Sequence, residues 1–207
     1  MHAYILMAGT LILTLAPTAG RVGRLPAFQT THLRFPGSVD STVQRDIYQR
    51  ALEKESQNFN LQNLSESNSK DEVRVWVGFG LITPRLFILK RERGIDKATY
   101  YSIEPNPDKT VRPRRGVKVV LPLASPKSGW NDFRTFLKAN GVEASLKLTS
   151  DFDTLVDPDG ESIVIEARSA RGYEMVFLPR NSKSADGKKA LAICHRIESE
   201  FSVRMGC

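Results

Sequence analysis

Two cysteines, Cys194 and Cys207, and three histidines, His2, His32 and His195, are the whole supply of thiol and imidazole groups in 207 residues. Zinc and similar ions want three or four His, Cys or carboxylate ligands at short spacings, so no metal site is expected, and nothing in the chain calls for another cofactor. Cys194 and His195 are adjacent, but on the helix that their surroundings predict, neighbouring side chains point about 100° apart. They can neither chelate one ion nor act as nucleophile and base, and His195 reads as a helix-surface residue.

Linear motifs for nucleophilic or nucleotide chemistry do not fill the gap. The G-x-S-x-G elbow, the H-E-x-x-H helix, the Walker A loop and G-x-G-x-x-G do not occur, and no catalytic residue is assigned. Paired carboxylates leave no such signature, since a hydrolase of that kind needs only two Asp or Glu side chains at the right separation. Glu166 and Glu174 each stand in an otherwise apolar run of one predicted hairpin, where burial would raise a carboxyl toward a general acid. Arg168 and Arg171 nearby offer the plainer reading, an ion pair on the open face of the sheet. Asp151, Asp153, Asp157 and Asp159 precede Gly160, but a calcium loop wants Asp or Asn at its fifth place, where Leu155 stands. That cluster reads as turn chemistry.

Positive charge is the stronger signal. The chain carries a formal charge of +7, and from Lys90 to Lys118 nine basic residues face four acidic ones. The basic set is Lys90, Arg91, Arg93, Lys97, Lys109, Arg112, Arg114, Arg115 and Lys118. Such a field attracts anionic partners: acidic glycans, lipid head groups or an acidic protein, with nucleic acid the least expected outside the cell. Arg74 and Trp76 stand opposite the valine face of their strand. Either the sheet is covered on both sides, or an aromatic and a cation are displayed together as part of a binding face.

Residues Ala3 to Ala16 form an apolar run followed by Pro17, Thr18, Ala19 and Gly20, the order of a cleavable export signal, although Lys and Arg are missing ahead of it. The run is too short for a helix of about 20 residues that spans a bilayer, so no stable membrane span is expected after cleavage. In an oxidising compartment Cys194 and Cys207 invite a disulfide; a buried free thiol at Cys194 is the equal alternative. The expected organisation is residues 1–20 as signal, 21–37 as an extended lead-in rich in Pro and Gly, and 38–207 as one domain of ordinary size.

Within that domain, Asp40 or Ser41 with Gln44 opens an amphipathic helix carrying Val43, Ile47, Tyr48, Ala51 and Leu52. The polar stretch Glu55 to Asp71 reads as a flexible connection. Val73, Val75, Val77 and Phe79 alternate with Arg74, Trp76 and Gly78 as a half-buried strand. Leu86 to Leu89, Ala98 to Ile103 and Val117 to Leu121 extend a meander, with Pro105 to Arg115 as an exposed loop. Ser128 caps a second helix with Trp130, Phe133, Phe136 and Leu137 on one face, ended by Asn140 and Gly141. Asp157-Pro158-Asp159-Gly160 marks a turn before strands at Ser162 to Arg168 and Tyr173 to Leu178. Ala190, Ile193, Cys194, Ile197 and Phe201 form a closing helix capped by Ser184 or Asp186. This order predicts an α+β fold in two layers: an antiparallel sheet of five or six strands with helices on one face.

The expected function is an exported, non-enzymatic domain that binds an anionic or protein partner. A secreted or periplasmic hydrolase using Glu166 and Glu174, and an envelope accessory or inhibitor protein, are the alternatives. Oligomeric state leaves no trace in these patterns. Protein recovered outside the producing cell is expected to have lost about twenty residues by intact mass; a full-length species confined to the cytoplasm would exclude export.

Overall fold

The computed structural model describes residues 41–78, 84–104, 117–142, 145–150 and 162–207. Residues 1–20 and 21–37, expected to be an export signal and a lead-in, Phe79, the stretch from Pro105 to Arg115 expected to be a loop, and residues Asp151 to Gly160 lie outside the described residues. So do the side chains of Val43, Gln44 and Ile47.

Six strands form one antiparallel sheet: β1 (Asp71–Val77), β2 (Arg85–Glu92), β3 (Ile95–Glu104), β4 (Val117–Leu123), β5 (Ser162–Ser169) and β6 (Gly172–Pro179), in the order β4-β3-β2-β1-β5-β6. Among the described residues three α-helices accompany it, α1 (Ser41–Asn58), α2 (Trp130–Ala139) and α3 (Ala185–Phe201). The mixed α+β class with an antiparallel sheet is as expected. Arg93 and Gly94, both at positive φ (52° and 81°), make the two-residue turn between β2 and β3. Two consecutive positive φ values match the right-handed twist of a hairpin.

On one face, Phe133 and Leu137 of α2 and Ala190, Ile193, Cys194 and Ile197 of α3 pack on Val73, Val75, Phe87, Leu89, Ile163 and Ile165. This is the sheet-and-helix layer that the sequence pattern predicts. The opposite face is also covered. Leu52 of α1 and Phe59 just beyond it pack with Trp76, Leu86, Ile88, Val164 and Phe177, and Tyr48 stacks on Phe177 with ring centroids 4.0 Å apart. The second cover follows from residues of β2, β5 and β6 on this face, which are as apolar as those on the first. β1 is therefore buried on both sides, where the two-residue period alone suggested a half-exposed strand.

The polar stretch after α1 is likewise more ordered than its composition implies. α1 runs to Asn58, a 3-10 turn forms at Leu64–Glu66, and Phe59 and Leu64 are 3% and 1% exposed. Two apolar anchors suffice to hold a segment that is otherwise Asn, Ser, Gln and Glu.

Helix ends follow local chemistry. Ser184 Oγ accepts from the Gly187 amide at 2.9 Å and caps α3. Gly129, not Ser128, is the N-cap of α2 and makes no side-chain cap bond; the Ser128 amide donates to Glu200 Oε2 at 2.8 Å. At the other end Gly141 (φ 84°) donates to Lys138 O and Val142 to Leu137 O, the paired bonds of a Schellman cap.

The C-terminal tail is fastened at several points. Cys194 and Cys207 are joined as a disulfide with Cα atoms 6.1 Å apart. Glu198 Oε1 accepts from the amides of Met205 and Gly206, Arg85 Nη1 donates to Met205 O, and Tyr100 OH donates to Arg204 O. Closing a loop of this length stabilises a fold by about 3 kcal/mol in the chain-entropy model. Cys207→Ala is therefore expected to lower unfolding free energy by about that amount in urea; an unchanged midpoint would show that the noncovalent contacts hold the tail unaided.

Candidate functional site

The expected binding residues separate into three groups. Arg74 and Trp76 are 3% and 0% exposed, which corrects the reading of an outward binding face. Trp76 packs beside Phe59 under the α1 layer. Its indole N–H donates to Glu166 Oε2 at 2.5 Å, and Tyr173 OH donates to Glu166 Oε1 at 3.0 Å. Arg74 Nε donates to Glu72 Oε1 at 2.8 Å, and Arg74 stands in register with Glu166.

The second group is the described part of the basic segment, and there most of the charge is spent internally. Lys90 and Lys97 face each other across the β2–β3 ladder. Glu92 lies against both, at 2.9 and 3.0 Å, and hydrogen bonds from Lys90 and then Lys97 bring its carboxyl to about 2. Lys118 sits over the Phe59 ring at 5.9 Å. Arg93 is exposed in the hairpin turn. Lys109, Arg112, Arg114 and Arg115, the third group, lie outside the described residues.

Glu166 and Glu174 do not form a pair. Successive residues along a strand point to opposite faces while residues paired across a ladder share one; Glu166 is with Trp76 on the α1 side, and Glu174, paired with Ala167, is on the α2–α3 side. Glu174 accepts from the Leu146 amide. Glu166 meets Arg74 rather than Arg168, whose Nη1 donates to Ser65 O at 3.3 Å. His195 is an exposed residue of α3, 3.4 Å from Glu198, while Cys194 faces the core. Among the described residues no cluster of His, Cys, Asp and Glu suits a metal ion, and no helix is long and apolar enough to cross a membrane.

A concave feature with concentrated charge lies elsewhere. A groove of about 570 Å³ opens between α2, the first residues of β1, the end of β2 and the β5–β6 turn. Lys70, Arg91, Arg134, Lys138, Arg168 and Arg171 line it, against two carboxylates, Asp71 and Glu72. The register of β1 with β5, Asp71 opposite Ser169 and Glu72 opposite Arg168, brings Lys70 and the β5–β6 turn to one rim. The Schellman cap at Gly141 fixes Val142 at another. Arg91 and Arg134 converge on Asp96. Burial opposes ionisation of Asp96, but the hydrogen bonds from Arg91 and Arg134 outweigh it and hold the carboxyl below its ordinary value.

Five of the six basic residues of the groove fall outside the Lys90 to Lys118 window. They come from three segments, each unremarkable in charge, so a linear count passes over them. The findable signal was Arg168 and Arg171 flanking a predicted turn, with nothing in the sequence to place α2 beside it.

Burial, chiefly, raises the Glu166 carboxyl above its ordinary 4.5, against the attraction of Arg74 and the hydrogen bonds from Trp76 and Tyr173. A carboxyl raised in the folded state holds its proton more tightly there than in the unfolded chain. Its contribution is therefore present below the ordinary value and lost as pH rises through the folded value. Glu166→Gln is expected to gain stability relative to the parent as pH rises from about 4 to 8, measured by urea denaturation at each pH. A pH-independent difference would show that Glu166 titrates alike in both states.

The chain matches no family model, no curated protein and no solved structure.

Proposed function

We propose that the chain is an exported, non-enzymatic binding domain that engages an anionic partner through the groove between α2 and the β5–β6 turn. The observation that carries the reading is the lining itself: among the described residues, six basic side chains stand against two carboxylates in one concavity, with a third carboxylate, Asp96, paired to Arg91 and Arg134. Concave sites focus field lines and raise the local concentration of the opposite charge. A volume of about 570 Å³ also suits a ligand group of small-molecule size. Export is supported by the apolar run at residues 3–16 and by the Cys194–Cys207 bridge, since disulfides persist in oxidising compartments.

Four of the six cations are arginines, whose planar forks suit oxyanions better than a lysine point charge. Lys70 and Arg171 stand exposed on the rim. A fluorescein-labelled heparin oligosaccharide is the direct probe. Its affinity, read by anisotropy, is expected to fall about tenfold or more between about 0.05 and 0.2 M salt. Lys70→Ala with Arg171→Ala should weaken binding about fivefold or more at the lower salt. Undetectable binding, or equal affinity of the parent and the double variant, would overturn the groove as the binding site.

A further inference from the structure

The groove contains an arrangement that charge attraction alone does not explain. Asp96 lies behind its lining with a side chain only 5% exposed. Arg91 donates Nε to Asp96 Oδ1 at 2.9 Å and Nη2 to Oδ2 at 2.8 Å. Arg134 donates Nε and Nη2 to the same Oδ1 at 2.9 and 2.5 Å, while its Nη1 reaches Asp71 Oδ1 at 3.2 Å. One carboxylate thus receives four N–H groups from two guanidiniums that start on different elements, β2 and α2.

A long arginine side chain loses rotamer freedom when it is fixed, and that cost falls on the binding event if the free protein leaves it mobile. Here the cost is met on folding. Arg134 is 23% exposed along its side chain and Arg91 40%, so both remain reachable from the groove. Arg91 Nη1 has no protein partner among the described residues. With the Nε–Nη2 edge of both guanidiniums on Asp96, the N–H groups left for a ligand are those of Arg91 Nη1 and the second N–H of the other terminal nitrogens, held at fixed positions that suit an anion with several oxygens on one centre. Among the described residues the lining includes no Phe, Tyr or Trp to offer bases a stacking surface.

Resting on the binding reading above, we propose that Asp96 is the positioning residue of the groove, holding Arg91 and Arg134 for a sulfate or phosphate ester group of the ligand. Two effects then pull in opposite directions when Asp96 is changed. By charge alone, loss of a carboxylate beside a cationic groove tightens anion binding. By loss of orientation, it weakens it.

The test uses the full chain with two probes, a heparin oligosaccharide for sulfate esters and inositol hexakisphosphate for phosphate esters. Asp96→Asn is expected to weaken the preferred probe by about five- to tenfold despite the more favourable charge. Arg134→Lys, which keeps the charge and removes the fork, is expected to weaken it by a similar factor. Melting temperature accompanies each titration, and if Asp96→Asn does not fold, Arg134→Lys decides. Affinity equal to or tighter than the parent's in the folded variants would overturn the positioning role while leaving the binding reading intact. Failure of the parent chain to bind either probe would instead remove the binding reading on which the inference rests. The tighter of the two probes in the parent identifies the ester class.

Discussion

β1 is hydrogen-bonded along its length to β2 on one side and to β5 on the other, and it meets the second partner only after most of the domain has been threaded. The indole-to-carboxylate bond from Trp76 to Glu166 spans 90 residues. That pairing joins the β2–β3–β4 meander to the β5–β6 hairpin. Without it α2 and α3 have no common face to cover. The rim of the groove would also separate, since Lys70 and Arg171 share it through the β1–β5 register. The loop-closure entropy is large and must be met before the contacts form, so the order of assembly is constrained toward local hairpins first.

Strand β1 and its β5 partner carry three buried charged groups. Arg74, Glu72 and Glu166 are all below 6% exposed. Arg74 has one carboxylate bonded and a second in cross-strand register, yet its Nη1 is buried with no hydrogen-bond partner among the described residues. Ion pairs of this kind often give no net stability over apolar replacements, but breaking one leaves an uncompensated charge. Their effect is on register. A slip of β1 by one residue would turn Arg74 and Glu72 together into the α2–α3 core, away from their cross-strand partners Glu166 and Lys90, whereas the valines on either side would tolerate the exchange.

What could be read from the sequence follows from how locally each feature is encoded. Alternation in Val73 to Val77, the helical face of Phe133 and Leu137, the Gly94 turn and the Ser184 cap are settled by neighbours within a few residues, and these elements stand where they were expected. The polar run after Asn58 was misjudged because Phe59 and Leu64 act through contacts that composition does not weigh. Ser128 stands one residue ahead of the N-cap, Gly129, with its amide donated to a distant carboxylate, Glu200. The groove was invisible for the same reason: its cations come from the start of β1, the end of β2, α2 and the β5–β6 turn, and only tertiary pairing assembles them. Arg74 and Trp76 illustrate the limit most clearly. Their side of the strand was correctly identified, and what the sequence pattern left open was whether another layer covered it.

The bridge between Cys194 and Cys207 alters how the tail transmits load. Tension applied at Cys207 passes through the sulfurs straight to the core-facing side of α3, bypassing the backbone between the two cysteines. The last turn of α3 and the residues Ser202 to Gly206 are thereby shielded from peeling, and any pull must be borne by helix-to-sheet packing as a whole. Mechanically, the domain presents its C-terminal side as a rigid attachment point rather than as a frayed end.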